Sequence, residues 1–386
     1  MDDVPAGPAS PEPRRPLLSV VVPVKNGGRD FEYCLRRLRE SRLADYELIV
    51  VDDGSTDDSA ETAQRAGAIV VRMPIARGPA AARNLGAQSA SALLVFFLDA
   101  DVAVHPDTLE RAVGRFQCEP DLCALFGSYD DTPAAPGLVS QYRNLLHHFV
   151  HQSGVFDRDV RPAHTFWTGC GTIRRDTFLA FGGFDPRLYP KPAIEDIELG
   201  YRLARAGYRI ILARDVLATH LKRWSLFDMV KTDILRRGVP WMLLIKRSGT
   251  METDLNVRST QKACVALTGL ILIAASASII EPWAATVALA GVSAVVALNA
   301  DFFRFLARKK GLAFASAAIP LHLVYYVCCG LSVVIAAAYW QTKQREIGGA
   351  RVAAGRRTDP AMASILRPAA RWQWPGRLAP WKGKTR

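Results

Sequence analysis

The sequence predicts an α/β sandwich with a mostly parallel central sheet, followed by a membrane-embedded helical region. Two observations carry this. Over the first 225 residues, short apolar or β-branched runs alternate with helix-period patterns, as expected of strands buried on both faces that feed crossover helices. Past residue 260, the stretches 263–280, 283–300 and 312–340 contain no Asp, Glu, Lys or Arg. At 1.5 Å rise per residue the first two are about 27 Å long and the third about 43 Å, against a hydrocarbon core of about 30 Å.

The strands read in order as 18–24 (LSVVVPV), 47–51 (ELIVV), 68–73 and 93–98 (LLVFFL). Helical patterns at 31–42 and 59–66 follow the first and second at βαβ spacing, so a ligand site belongs at the carboxyl ends of the strands. Helices are also expected at 138–152 and 197–206, and a strand at 209–219. Residues 226–246 mix apolar side chains with Lys231, Arg236 and Arg237 and contain Pro240 and Trp241, the pattern of an amphipathic element in the membrane interface. A helix packed on the preceding domain explains the same pattern. The expected organisation is a disordered 1–16, an α/β domain at 17–225, an interfacial segment at 226–262, a membrane region at 263–340 and a basic, disordered tail at 341–386. Three spans after a cytoplasmic domain put Arg304, Arg308, Lys309 and Lys310 inside, as the positive-inside bias prefers, but send the basic tail outside. An interfacial segment among the three, or a break at Pro320, would resolve that conflict.

The 386 residues carry a formal charge of +12. Residues 341–386 hold 11 Lys/Arg against 2 Asp/Glu, which leaves only +3 for the rest, so the charge belongs to a terminal segment and no nucleic-acid partner is expected. Seven cysteines form no CxxC pair, consistent with a reducing compartment. Asp2 and Asp3, then Pro5, Pro8, Pro11, Pro13 and Pro16, reverse the order of a cleaved signal, and none is expected.

Polar residues gather where strands end. The first ends at Pro23, Lys25 and Asn26, with Gly27 and Gly28 for the turn. The second ends in VDDGSTDDS, which places Asp52 and Asp53 to accept hydrogen bonds from a base or a ribose, while Asp57 or Asp58 caps the next helix. The fourth ends at Asp99 and Asp101. Two carboxylates at a sheet rim repel unless a hard cation joins them, so the pair suits Mg²⁺ or Mn²⁺ bridging protein to a nucleotide's phosphates.

These residues, in VVPVKN, VDDGSTDDS, RGPAAARNLG, FLDAD, TGCGTIRR, GGFD and IEDIELGYRL, occur in an order and spacing that resembles family 2 glycosyltransferases of the GT-A fold. The resemblance covers roughly residues 17–224, and the chain looks like the membrane-attached bacterial subset whose apolar helices follow the catalytic domain. It implies a UDP-, GDP- or dTDP-sugar donor. It implies that Asp53, with Asp52, contacts the nucleobase, that Pro23 and Asn26 line the nucleotide pocket, and that Arg83 lies near the donor's phosphates with Asn84 beside it. It implies a DxD motif at Asp99 and Asp101, the first turned toward donor hydroxyls and the second toward the metal, with His220 as a further metal ligand or diphosphate contact. Trp167, Thr168 and Gly169 would border the acceptor pocket, and Asp196 would be the catalytic base, with Glu195 and Glu198 as competitors and Glu195 also an acceptor contact. The QxxRW motif of processive members is absent, which favours a single transfer.

The chemistry asks for such a base independently. In an inverting transfer an acceptor hydroxyl attacks the anomeric carbon opposite the departing diphosphate, and a carboxylate removes its proton. Asp196 also suits the first turn of the helix at 197–206. His147 and His151 have metal-ligand spacing but no HExxH acid between them, so acceptor contact or an interfacial helix, not zinc, is expected of His147, His148 and His151. Lys222, Arg223 and Trp224 suit phosphate or the headgroup layer. The resulting expectation is a metal-dependent inverting glycosyltransferase of the inner membrane, multi-pass, with its catalytic domain cytoplasmic and a lipid-linked acceptor, in cell-envelope polysaccharide or glycolipid synthesis. The alternative is a non-catalytic nucleotide-sugar-binding membrane scaffold, which has no chemical need for Asp99, Asp101 and Asp196 together. A dehydrogenase or kinase is disfavoured because neither GxGxxG after the first strand nor a GxxxxGK loop occurs.

Overall fold

The computed structural model describes residues 15–249 and 259–355, with side chains described through 342. Most of the expected N-terminal segment 1–16 and of the basic tail 341–386 therefore lies outside the described residues. The chain opens with β1 (Leu18–Val24), α1 (Gly28–Arg39), β2 (Tyr46–Asp52), α2 (Ser59–Arg65), β3 (Ile69–Arg72), α3 (Pro79–Ser89) and β4 (Leu94–Leu98). It continues with β5 (Val102–Val104), α4 (Thr108–Cys118), β6 (Leu122–Tyr129), α5 (Leu138–Gln152), β7 (Val160–Ala163), β8 (Cys170–Arg174), α6 (Arg175–Ala180), α7 (Glu195–Arg205) and β9 (Arg209–His220). After β9 come α8 (Leu226–Lys231), a π-helical segment (Thr232–Gly238) and α9 (Val239–Ser248). Four helices follow, α10 (Ser259–Ala277), α11 (Ala284–Leu298), α12 (Ala300–Lys310) and α13 (Leu312–Gly355).

The nine strands form one sheet in the order β3-β2-β1-β4-β8-β6-β9-β5, with β7 also on β9. From β3 to β4 the pairing is parallel, as the βαβ spacing predicts. Beyond it β8 runs antiparallel between β4 and β6, and β9 is parallel to β6. Period-2 alternation sends Val20, Val22 and Phe96 into one core with Phe31, Leu35 and Leu38 of α1. Val21, Ile49, Val51 and Phe97 enter the opposite core with the alanines of α3 and with Phe178 and Phe184. Both faces are covered, which is why these strands read as unbroken apolar runs.

The second charge-free run, expected as one span over 283–300, behaves differently. It forms α11, 15 residues or about 22 Å, and the chain then bends by 77° into α12 at Asn299. Asn299 itself is held by Val295 O through Nδ2 (2.8 Å) and by the Tyr326 hydroxyl through Oδ1 (2.9 Å). Helices α10 and α13 are each long and apolar enough to cross a membrane, and the bent pair makes a third if counted as one span. Pro320 does not break α13, which runs through it. Leu270, Ile273 and Leu289 expose 59–68% of their surface, large apolar side chains turned outward as in a lipid-facing layer.

A third core joins α5 of the α/β domain to these helices, through Tyr142, Met229, Phe302, Leu306, Leu321 and Tyr326. Phe305 of α12 stacks on His148, the Tyr142 hydroxyl meets His322 Nδ1 at 2.8 Å, and Lys309 pairs with Asp131. Segment 226–249 packs on the domain too, with Trp241 Nε1 donating to the Tyr201 hydroxyl at 3.1 Å. The α/β domain and the apolar helices are thus parts of one packed body through Val333.

Candidate functional site

At the carboxyl edge of β1, β2 and β4 the strand-end residues separate into two groups. The first builds the loops. Asn26, at φ 54°, accepts from Thr56 N–H at 2.8 Å, and Asp52 accepts from Ser55 N–H at 2.8 Å. Both oxygens of Asp53 take backbone N–H groups that lead into α3, from Arg77 (2.6 Å) and Gly78 (2.9 Å). Asp57, rather than Asp58, bonds the first amide of α2, accepting from Ser59. Pro23 sits half-buried in β1, opposite Val51. Asn84 uses its whole amide on the GGFD loop, donating to Phe184 O (2.8 Å) and accepting from Phe184 N–H (2.9 Å). That pairing seats Phe184 against Phe97 at 5.5 Å between ring centroids.

The second group lines a cavity of about 550 Å³ that contains Arg83, Asp99, Asp101, Trp167, Thr168, Glu195, Asp196 and His220. Pro23, Asn26, Asp52, Asp53, Asn84 and Gly169 lie outside that lining. Arg83 reaches the cavity because α3 lies close on the sheet: a Cβ on Gly86 would stand 2.3 Å from Val21 Cγ1. Its guanidinium bridges Asp99 (2.5 Å) and Glu195 (2.9 Å), and its Nε has no partner among the described residues. Arg83 and Glu195 are both buried, so removing one strands the other charge. Arg83→Ala is expected to destabilise the fold by about 3–5 kcal/mol. Denaturant unfolding of the solubilised protein checks this, and an unchanged midpoint would contradict a buried pair.

Asp196 opens α7. Its Oδ2 accepts from Thr168 N–H (3.1 Å) and Oγ1 (3.2 Å), and its Oδ1 from Ile197 N–H (2.8 Å). Burial, and then the Glu195 charge, raise its carboxyl to about 6, against the pull of the Thr168 bond and Arg83. Thr168 is presented there because β8 pairs with β4, Cys170 opposite Leu98, so the segments before β8 and after β4 meet at one edge. Gly169 leaves room for the Trp167 ring, which a Cβ would meet at 2.3 Å.

Of the three expected metal ligands, the structure brings two together and turns the third to Arg83. His220 ends β9 opposite Val102, and its Nδ1 lies 2.6 Å from Asn144 Oδ1. Nε2 therefore faces Asp101, 3.7 Å from Oδ2. Tyr129 stacks flat on the imidazole at 4.4 Å, and Trp167 stands edge-on to Tyr129 at 4.8 Å. Among the described residues no three His, Cys, Asp or Glu side chains form a cage. One carboxylate with one oriented imidazole nevertheless fits a hard divalent ion that keeps waters and takes its remaining ligands from substrate phosphates.

His147 and His151 lie behind Trp167, their rings 4.9 and 5.3 Å from it, and burial first, then the His151 charge, hold His147 well below its ordinary value. They wall the cavity as an aromatic layer. Sequence reasoning missed Tyr129 and Asn144, which orient His220, and nothing in a single sequence marks them. It also missed that the cavity continues past Trp224 to Asp233, Arg237 and Trp241, and on to Lys262 and Val265 of α10 and Tyr325, Cys329 and Ser332 of α13. Lys222 and Trp224, and the basic pair at 236–237 with Trp241, were what hinted at that end.

Comparison with known proteins places this arrangement. Residues 19–180 match the family model described as Glycosyl transferase family 2. A pre-mycofactocin glycosyltransferase of Mycobacterium tuberculosis is 31% identical over 233 residues, 58% of this chain and 47% of that protein. Glycosyltransferase AglE of Haloferax volcanii is 26% identical over 216 residues, 54% of this chain and 68% of that protein. The chain spans about half the length of the first of these relatives. Among solved structures, the mannosyltransferase PcManGT of Pyrobaculum calidifontis, in complex with GDP-Man and Mn²⁺, superposes with a TM-score of 0.50 at 19% identity, covering 83% of this chain and 88% of that one. That likeness establishes the fold, the GT-A sandwich expected from the motifs.

Proposed function

We propose that this chain, whose residues 19–180 match the model described as Glycosyl transferase family 2, is an inverting glycosyltransferase that works at a membrane face, moving a sugar from a nucleoside-diphosphate sugar to a lipid-linked acceptor. The observation that carries the reading is the continuity of one cavity. It runs from Asp101, His220 and Asp196 at the sheet edge to Lys262, Tyr325 and Ser332 on the two helices long enough to cross a membrane. A water-soluble acceptor would need no such wall. The catalytic domain lies on the cytoplasmic side, where nucleotide sugars are made.

In the proposed reaction the acceptor oxygen bonds to the anomeric carbon as that carbon's bond to the diphosphate oxygen breaks. The nucleoside diphosphate leaves with the electron pair, and the acceptor proton passes to Asp196. Thr168 holds the Asp196 carboxylate toward the cavity and leaves it able to accept that proton. Arg83 fixes Asp99 and Glu195 as one rigid unit beside the donor. Mg²⁺ or Mn²⁺ held by Asp101 and His220 would offset the charge of the diphosphate. The loops built by Pro23, Asn26, Asp52 and Asp53 frame the nucleoside.

Radiolabelled nucleotide sugars incubated with membranes containing the protein test the reading. Label is expected to partition into an organic phase, and the protein to stay in the pellet after alkaline carbonate washing. Label that remains wholly water-soluble, or release of the protein by carbonate, would contradict the membrane acceptor.

A further inference from the structure

The membrane-facing end of the cavity has a charge imbalance that sugar transfer at Asp196 does not require. Arg236, Arg237 and Lys262 line the cavity, and so does Lys222, which lies nearer Asp101. Among the described residues none of the four has a carboxylate in ion-pair range, because the one acid at that end, Asp233, is buried and bound to Arg143 through two hydrogen bonds, one of 3.1 Å. Lys222 instead lies over the Trp224 ring at 4.7 Å. Asp101 near Lys222, and Asp233 and Asp196 near Arg237, offset part of this charge from beyond ion-pair range, and the remainder repels unless an anion joins the four cations.

The backbone there is unusual in the same place. Arg236 and Arg237 sit on the π-helical segment Thr232–Gly238, a geometry rare in proteins and frequent at functional sites. Both of these consecutive arginines line the cavity. Gly238 closes the segment against α13, where a Cβ would stand 2.1 Å from Ser332 Oγ. The segment that carries Arg236 and Arg237 therefore ends packed against α13. Lys262 lies in the first turn of α10, where that helix begins its apolar run. Val265, Tyr325, Cys329 and Val333 complete the wall.

We propose that Arg236 and Arg237, assisted by Lys222 and Lys262, bind the phosphate or diphosphate headgroup of a lipid, and that this headgroup is the anchor of the acceptor. The inference rests on the glycosyltransferase reading above and narrows it: the acceptor is a lipid held here by its anionic phosphate, carrying the hydroxyl that gives its proton to Asp196, and not an uncharged lipid. Guanidinium groups suit this task because they meet phosphate oxygens bidentately. The donor's own diphosphate is assigned elsewhere, to the edge at Asp101 and His220.

Calorimetry on the detergent-solubilised full chain, with each probe dispersed in the same detergent, tests it: farnesyl phosphate, farnesol and inorganic phosphate. Nucleoside diphosphate with Mn²⁺ is measured beside them. Farnesyl phosphate is expected to bind at least about tenfold more tightly than either other probe, and the Arg236→Gln, Arg237→Gln double variant to lose that advantage. The Arg236→Lys, Arg237→Lys variant should recover part of it, which separates charge from misfolding. Equal binding of farnesol would reduce the site to an apolar groove, and equal binding of inorganic phosphate would make it a free-phosphate site; either overturns the proposal. If the double Gln variant loses nucleoside diphosphate instead, these arginines serve the donor and the proposal fails while the enzyme reading stands. If the wild-type chain binds no nucleoside diphosphate at all, the failure lies with the enzyme reading.

Discussion

Asp196→Asn is expected to lower sugar transfer by about 10²–10⁴-fold, the usual worth of a positioned general base, while leaving nucleoside diphosphate affinity nearly unchanged. The amide keeps the shape of the carboxylate and can still accept from Thr168, but it cannot take up the acceptor proton. The pH dependence follows with a definite sign. Because burial and the Glu195 charge raise Asp196 to about 6, the carboxylate form dominates above that pH and is lost below it. The rate of the wild-type enzyme should fall about tenfold per pH unit below 6, and the residual rate of the variant should lack that limb. A raised carboxyl also works against the fold: the folded state binds more protons than the unfolded chain between about 4 and 6, so stability falls as pH rises through that window. Asp196→Asn should therefore unfold at equal or higher denaturant than wild type at pH 7. A pH–rate profile flat from 5 to 8, or a variant that loses nucleotide binding, would remove Asp196 from the role of base.

Asp101→Ala is expected to abolish Mn²⁺-dependent binding of nucleoside diphosphate. Asp101 and His220 are the two convergent donors at the sheet edge, and Asp99 is bound to Arg83. On the proposed assignment the ion has two protein ligands, and loss of one leaves no site that waters and phosphates can complete. Asn144→Ala tests the same centre from one shell further out. Its oxygen sets which imidazole nitrogen faces Asp101, and loss of such a partner typically costs about 10–100-fold in metal affinity. Calorimetric titration of nucleoside diphosphate with and without Mn²⁺ measures both. If Asp101→Ala binds as wild type does, and with the same metal dependence, the metal assignment is wrong.

Legibility in the sequence followed physical demands. Strands β1 and β4 announce themselves because burial on both faces leaves them almost wholly apolar, with Ser19 the one polar residue between them, and Asp99 and Asp101 stand out as acids directly after such a run. Strands β5 to β8 did not announce themselves. β5 has three residues, β7 carries Pro162, and their antiparallel pairing depends on partners remote in the chain. The break at Asn299 was hidden because one amide in an apolar run looks harmless until Tyr326 is seen to bond it. Within the site, motif order pointed to Asp101, Asp196 and His220. It did not distinguish residues that face the cavity from those, such as Asn84 and Asp53, whose hydrogen bonds build loops. The cationic end was least legible. It depends on a π-helical segment, on α10 and on α13, which lie far apart in sequence and meet only through tertiary packing.

The account stands most directly on one measurement: nucleoside diphosphate release by the detergent-solubilised protein from a panel of UDP-, GDP- and dTDP-sugars with Mn²⁺, with and without membrane lipid extract, beside Asp196→Asn. The account predicts release from one donor class that requires both metal and lipid and is lost in the variant. Release that proceeds equally without lipid, or equally in Asp196→Asn, would contradict it; donor binding without any release under all conditions would make the chain a nucleotide-sugar-binding scaffold instead of an enzyme.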